Sequence, residues 1–207
     1  MPADLWITFV LASVVLVIIP GPTVLLCVSY ALSQGRKIAL ATALGVALGD
    51  LIAMSASLAG LGALVLASAS LFTLLKWIGA AYLVYLGVRL LRAPPIVVEP
   101  ESTEPGKNAR AIFWHATAVT ALNPKSIGFF IAFVPQFMVA DAPLLPQFAI
   151  LTTTFVTLGA ANALAYALLA DRLRRTIRRP SVLRWMNRSG GGALIGMGAL
   201  TATLQRA

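Results

Sequence analysis

Long apolar stretches alternate with short charged or turn-rich breaks along the whole chain. Each stretch is close to 20 residues or longer, which is the length of an α-helix that crosses a bilayer. The pattern predicts helices rather than barrel strands, because barrel strands are shorter and alternate in polarity. The six predicted spans are Leu5–Ser33, Ile38–Leu66, Leu71–Leu91, Ala111–Val139, Leu144–Ala170 and Arg188–Leu204.

Three of the predicted spans carry polar or helix-breaking residues near their midpoints. Pro20-Gly21-Pro22 interrupts span 1, Asp50 lies in span 2, and Asn123-Pro124-Lys125 interrupts span 4. Proline removes a backbone donor and clashes with the preceding turn, so spans 1 and 4 are expected to break near the midplane. A charge or a broken helix in hydrocarbon is costly unless it lines a cavity or meets a partner. Interrupted helices beside a midplane charge are typical of substrate sites in secondary transporters.

Composition and charge exclude most other classes of protein. The 207 residues are 59% hydrophobic and only 11% charged, whereas soluble domains carry about 25% charged residues. The net charge of +9 indicates lipid contact and membrane topology rather than binding of nucleic acid, because the basic residues collect beside predicted helix ends.

The single cysteine, Cys27, excludes an internal disulfide and a CxxC metal or redox motif. No metal or cofactor is expected. The first span has no Lys or Arg ahead of it and is too long for a cleaved signal peptide.

The distribution of basic residues orients the predicted spans. Thirteen of the sixteen Lys and Arg residues lie in or beside the connections between spans 1 and 2, 3 and 4, and 5 and 6. The positive-inside rule makes that side cytoplasmic, so both termini are expected outside. The basic stretch Arg172–Arg188 is expected to lie as a short segment on the inner lipid surface, with a specific lipid or nucleic-acid site as the sharper alternative.

The order of these features predicts a single membrane domain, 1–207, built as two inverted three-helix repeats. A linker rich in Pro and Glu, about 93–110, separates repeat 1 (about 1–92) from repeat 2 (about 111–207). Each half begins with a proline-broken helix, and each second helix carries one polar residue among small ones, Asp50 or Asn162. Gly45 and Gly49 form a GxxxG pair, which predicts close packing of span 2 on a neighbour.

The broken helices predict a site for a zwitterion. Each break exposes carbonyls on the incoming half and amides on the outgoing half, and the amide ends suit a carboxylate. Thr23, Ser126 and Lys125 add donors there. Asp50 can bind an ammonium group, carry a coupling proton, or simply neutralise Lys125 in a structural pair. The candidate binding residues are Pro20, Gly21, Pro22, Thr23, Asp50, Asn123, Pro124, Lys125, Ser126 and Asn162, of which Asn162 has a helix–helix hydrogen bond as an equal alternative.

Several ordered motifs give the whole chain a resemblance to a known family. They are Pro20-Gly21-Pro22, Gly45-Val46-Ala47-Leu48-Gly49-Asp50, Lys76-Trp77-Ile78-Gly79-Ala80-Ala81-Tyr82-Leu83, Tyr85-Leu86-Gly87, Leu122-Asn123-Pro124-Lys125, Phe129-Phe130 and Pro135-Gln136-Phe137. In order and spacing they resemble the lysine exporter (LysE/RhtB) family of bacterial amino-acid exporters. The resemblance implies export of amino acids across the bacterial cytoplasmic membrane, driven by the proton gradient. It also implies that the two proline motifs, Asp50 and Lys125 shape the central site.

The residues favour a neutral amino acid over a basic one, because Asp50 is the only acid at that depth. A passive channel or exchanger for an ion or small solute is the alternative, since the same polar core can line a pore. An intramembrane enzyme is not expected: the chain has one His and one Cys and lacks GxSxG and HExxH motifs. The lone His115 makes no metal site, and a proton-relay role for it stays open. Glycine-lined helix faces are compatible with a homodimer.

Overall fold

The chain folds as an all-helical protein, as predicted. The computed structural model describes residues 1–19, 21–67, 69–94, 108–139, 142–177 and 180–204. These residues form eight α-helices and two short 3-10 helices, Arg36–Ile38 and Val134–Phe137, and contain no β-strand. The α-helices are α1 (Ala3–Ile18), α2 (Pro22–Gln34), α3 (Ala39–Ala67), α4 (Ala69–Arg92), α5 (Ala109–Ala121), α6 (Pro124–Phe133), α7 (Leu144–Ile177) and α8 (Pro180–Leu204).

Two pairs of helices are broken at the proline motifs. The axes of α1 and α2 differ by 54°, and those of α5 and the segment that begins with α6 differ by 46°. Pro22 and Pro124 each begin the second helix of a pair, the position where a missing amide costs nothing and the fixed φ suits the helix. Pro20 lies outside the described residues.

Length and hydropathy identify membrane-spanning segments in the described part of the chain. Arg36–Gly62 and Leu144–Ala170 are each long and apolar enough to cross a bilayer alone, with mean hydropathies of 1.9 and 1.6. Each bent pair meets the same standard when its halves are taken together, which raises the number to four. The protein is therefore membrane-embedded, and the predicted count of six spans stays a prediction.

The basic stretch near the C-terminus is helical over the residues that the structure describes. α7 continues to Ile177 and α8 begins at Pro180, so the predicted segment Arg172–Arg188 is shared between two helices, and its place on the inner lipid surface stays a prediction. α8 begins eight residues before the predicted start of span 6, Arg188. Arginine has a high helix propensity, and proline is well tolerated in a first helical turn, which accounts for the longer helices.

Close backbone approaches hold the helices together. Gly45 and Gly49 face α5, where an added Cβ at Gly49 would lie 2.6 Å from the Thr120 Cβ and 2.7 Å from the Thr117 carbonyl oxygen. The predicted packing of this GxxxG pair is thereby confirmed, and its partner is α5. On α4, a Cβ at Gly79 would meet the backbone of Ala132 in α6. Without a hydrophobic driving force between helices in lipid, such van der Waals contact supplies much of the association energy.

Three apolar clusters of buried side chains lie among the described helices. The largest contains residues of α1, the second half of α3, α6 and the first half of α7. The second contains residues of α2, the first half of α3, α5 and the later part of α7, and a small third cluster of alanines joins α2, α3 and α7. At the helix breaks, Ile19 and Asn123 are buried whereas Leu122 is 76% exposed, so the breaks face the interior on one side only.

Candidate functional site

A small polar cavity lies where the two helix breaks meet. Its volume is about 40 Å³, which is room for a few water molecules. Seven of the ten predicted site residues line it: Gly21, Thr23, Asp50, Asn123, Lys125, Ser126 and Asn162. Pro22 and Pro124 are not among the lining residues and act as helix starts, while Pro20 lies outside the described residues. The apolar part of the lining includes Cys27, Val46 and Phe155.

Lys125 caps the carboxyl end of α1. Its Nζ donates to the carbonyl oxygens of Leu16 at 3.1 Å and Ile19 at 3.0 Å. The last four carbonyls of a helix have no partner within the helix, and the end carries a partial negative charge, so an ammonium group is a favourable cap there. Lys125 lies in the first turn of α6. Its side chain therefore connects the second broken span to the first.

Two side chains of α7 cap the remaining carbonyls at the same end. Asn162 Nδ2 donates to the Val17 carbonyl at 2.9 Å, and the Tyr166 hydroxyl donates to the Ile18 carbonyl at 3.0 Å. Asn162 therefore lines the cavity and also makes the interhelical hydrogen bond, and a role in substrate binding stays a prediction. Tyr166 was not among the predicted site residues. Its position one helical turn after Asn162, on the same face of α7, is the signal that identifies it.

The amino end of α6 is connected to the start of α2. The Asn123 side-chain oxygen accepts from the backbone amide of Lys125 at 3.1 Å and so caps α6. Its amide nitrogen donates to Thr23 Oγ1 at 3.3 Å, and Thr23 Oγ1 lies 3.4 Å from Thr120 Oγ1. At the start of α2, Gly21 offers no side-chain cap. Gly21, Thr23 and Val24 line the cavity, so the start of α2, which has no side-chain cap, borders it.

Asp50 places a carboxylate at the wall of the same cavity. The residue is only 4% exposed, and its Oδ2 lies against Gly159 of α7 so closely that an added Cβ there would contact it. Among the described side chains there is no salt bridge within 4.0 Å between Asp50 and Lys125. The direct structural pair that the sequence allowed is therefore not formed, and the two opposite charges line one cavity separately.

A cluster of six phenylalanines lies next to the cavity. This phenylalanine cluster consists of Phe9, Phe129, Phe130, Phe133, Phe137 and Phe155. Ring centroids lie 4.5 Å apart for Phe129 and Phe133 and 4.7 Å apart for Phe130 and Phe155, distances at which aromatic pairs attract. Phe155 belongs to both the cluster and the cavity lining.

His115 lies away from the cavity lining. Its Nδ1 is 2.7 Å from the hydroxyl of Tyr30 on α2, and Tyr30 is completely buried. No group of three or more His, Cys, Asp and Glu side chains that could hold a metal ion occurs among the residues with described positions. The contact therefore joins α2 to α5, and a proton-relay role for His115 stays a prediction.

Replacing Tyr166 by Phe is expected to destabilise the protein by about 1 kcal/mol. The substitution leaves the Ile18 carbonyl without its donor in an apolar surrounding, and interhelical hydrogen bonds in membrane proteins are worth about that much. Thermal unfolding of the purified protein in detergent measures the effect. Tyr85→Phe is the matched control, because Tyr85 is 56% exposed. Equal unfolding temperatures for the two variants would contradict the capping role.

Comparison with known proteins identifies the family of the chain. Residues 14–205 match the LysE type translocator family. The chain is 37% identical over 204 residues to an uncharacterized membrane protein of Vibrio cholerae serotype O1, with 98% of each chain covered. It is 31% identical over 207 residues to the homoserine/homoserine lactone efflux proteins of Salmonella typhimurium and Salmonella typhi, with both chains covered completely. No solved structure matches. Because the family match spans nearly the whole chain, this membrane-embedded protein belongs to the LysE type translocator family, a family of transporters and not a class of enzyme.

Proposed function

We propose that this protein is a secondary active exporter that moves amino acids out of the cytoplasm, driven by the proton gradient. One observation carries the proposal: two broken helices present their polar ends to a single buried cavity that holds one acidic and one basic side chain, Asp50 and Lys125. A zwitterion is the solute whose two charges match such a site. Membership of a translocator family supports the export function.

A neutral amino acid is the preferred substrate. The described lining contains Asp50 as its only acid, so a second positive charge on a lysine or arginine side chain would lack a partner. The Salmonella relatives named for homoserine and homoserine lactone support this preference, since the side chain of homoserine is uncharged. The short apolar side chains around the cavity fit a small substrate.

Each charged group has a role in this proposal. Asp50 contacts the amino group of the substrate and carries the coupling proton. The substrate carboxylate is held by the amide ends of α2 and α6 with the hydroxyls of Thr23 and Ser126, and by the charge of Lys125. Proton uptake on Asp50 and amino-acid release are then coupled, because a protonated Asp50 no longer attracts the ammonium group of the substrate.

Alternating access explains the size of the cavity. A space of about 40 Å³ is too small for an amino acid, so the cavity has to enlarge toward one side of the membrane for loading and toward the other for release. A passive channel would need a continuous water-filled path through the membrane. The phenylalanine cluster next to the cavity favours the carrier over the channel.

We also propose the topology in which this cycle runs. Six spans form two inverted repeats, 1–92 and 111–207, in the bacterial cytoplasmic membrane, with both termini outside. The two bent helix pairs support this arrangement, as do the reciprocal contacts of residues at equivalent positions: Lys125 follows Pro124 and reaches the end of α1, while Thr23 follows Pro22 and reaches the end of α5. Inverted repeats of this kind place the substrate site at their interface.

Uptake of labelled amino acids into energised inverted membrane vesicles tests the proposal. Vesicles containing the protein are expected to accumulate homoserine and similar neutral amino acids above the level of vesicles without it. An uncoupler that collapses the proton gradient is expected to abolish the accumulation. Flux that is insensitive to the gradient and far faster than a carrier allows would favour the channel. No accumulation across a panel of neutral and basic amino acids, with the folded protein present, would overturn the substrate class.

A further inference from the structure

The ammonium group of Lys125 occupies a site built from backbone. Its Nζ lies 3.1 Å and 3.0 Å from the carbonyl oxygens of Leu16 and Ile19, which belong to the other broken span. These carbonyls are free only because α1 ends there, and they carry the negative end of its dipole. The chemical group that they hold is a primary ammonium with three N–H donors. Every free α-amino acid of proteins except proline carries the same group.

We infer that the carboxyl end of α1 is an ammonium-binding subsite, which Lys125 fills in the absence of substrate and the substrate amino group fills during transport. This inference rests on the proposed function and deepens it, since the amino group that Asp50 contacts first is then passed to the two carbonyls as Lys125 leaves them. When the substrate amino group replaces Lys125 on the two carbonyls, the released Lys125 ammonium can turn to the substrate carboxylate. While Asp50 is ionised, the positive and negative charges in the cavity are then equal in number both with and without the substrate.

The neighbouring side chains define the subsite. Asn162 and Tyr166 already satisfy the carbonyls of Val17 and Ile18 with an amide and a hydroxyl. The carbonyls of Val17 and Ile18 therefore accept from neutral donors, and the carbonyls of Leu16 and Ile19 accept from a cation. The end of α1 thus has one position for an ammonium group, between the carbonyls of Leu16 and Ile19.

The space around the subsite is fitted to a primary ammonium group. A Cβ added at Gly21 would lie 3.2 Å from Lys125 Nζ, so even one additional methyl group at that point would crowd the cation. A quaternary ammonium is larger and has no N–H donor for the carbonyls. The subsite is therefore expected to accept methylammonium and to reject tetramethylammonium.

Tethering of the resident cation provides selectivity. Lys125 is attached to the protein and competes for the carbonyls at a high effective concentration. A free ammonium ion gains only the carbonyl contacts and cannot displace it efficiently. An amino acid gains contacts with its carboxylate at the same time, so it can compete.

The test is binding of methylammonium to a protein whose resident cation has been removed. Purified Lys125→Ala in detergent is expected to show a saturable rise in its unfolding temperature with methylammonium chloride. Tetramethylammonium chloride at the same concentration is expected to produce no rise. Wild type and Lys37→Ala should respond to neither salt, because both keep Lys125; Lys37 is an exposed residue of the first 3-10 helix.

Two outcomes would overturn the inference: no saturable response in Lys125→Ala, or an equal response in wild type. Lys125→Met keeps most of the length of the side chain and is used for the same titration if Lys125→Ala does not survive extraction. Lys125→Gln, whose amide can still donate to a carbonyl, is expected to respond less than either variant.

The result is independent of the transport assay. If methylammonium binds to Lys125→Ala but wild type accumulates no amino acid, the subsite is supported and the proposed substrate is wrong. If wild type accumulates amino acids but the variants do not bind methylammonium, the exporter is supported and the subsite is wrong.

Discussion

Replacing Asp50 by Asn is expected to reduce gradient-driven accumulation of amino acids to the level of vesicles that lack the protein. Asparagine has nearly the same size and can still form hydrogen bonds, but it carries neither a negative charge nor a transferable proton. The residue is 4% exposed and lines the cavity beside Gly159, so no other described acid can take over its position. Folding should be retained, because no salt bridge to Lys125 is lost.

The measurement separates the two roles proposed for Asp50. Uphill accumulation and downhill exchange of labelled homoserine are measured in the same vesicles, with protein amounts equalised. Loss of accumulation with exchange retained would assign only the coupling proton to Asp50, whereas loss of both would assign contact with the amino group as well. Asp4→Asn removes an exposed acid at the start of α1 and is the matched control. Undiminished accumulation by folded Asp50→Asn would contradict the mechanism.

Replacing Gly79 by Ala is expected to be the most damaging small substitution for the fold. The added methyl group would overlap the backbone carbonyl of Ala132, and the Ala132 carbonyl carbon and Cα lie 2.8 Å from the same position. Backbone atoms cannot move aside as a flexible side chain can, so α4 and α6 must separate. Overpacking of this kind costs about 1–3 kcal/mol.

Thermal unfolding in detergent measures this effect, with Gly60→Ala as the control. Gly60 also lies in a helix, but an added Cβ there meets nothing within 4 Å. Because Ala has the higher helix propensity, Gly60→Ala should be neutral or stabilising by up to about 1 kcal/mol. If Gly79→Ala proved as stable as Gly60→Ala, the close contact between α4 and α6 would be refuted.

The features that depend on local sequence were predictable. Helix breaks at Pro22 and Pro124 follow from the geometry of proline alone, and membrane embedding follows from hydropathy and length. The packing of Gly45 and Gly49 was predicted because small residues four positions apart form a continuous flat face on a helix. Even the polar residues of the cavity could be selected, since each lies near the middle of an apolar stretch.

The partners of those residues were not predictable. Hydropathy places Asp50 and Lys125 at similar depth but contains no information on rotation about the helix axes, so a direct pair and two separate positions were equally consistent with the sequence. The contacts of Lys125 with Leu16 and Ile19 join residues more than 100 positions apart through backbone atoms, which leave no trace in side-chain patterns. The extension of α7 to Ile177 was missed for a different reason: arginine marks a membrane boundary but does not end a helix.

The phenylalanine cluster has a consequence for how the cavity opens in the proposed transport cycle. Contacts between aromatic rings are attractive over a range of tilts and offsets, so the six rings can exchange one packing for another without leaving a polar atom unpaired. The capped end of α1 has no such freedom, because each of its hydrogen bonds requires one partner at one distance and angle. Opening on the aromatic side is thus a repacking of interchangeable surfaces, whereas displacement of the α1 end is an all-or-none exchange of partners.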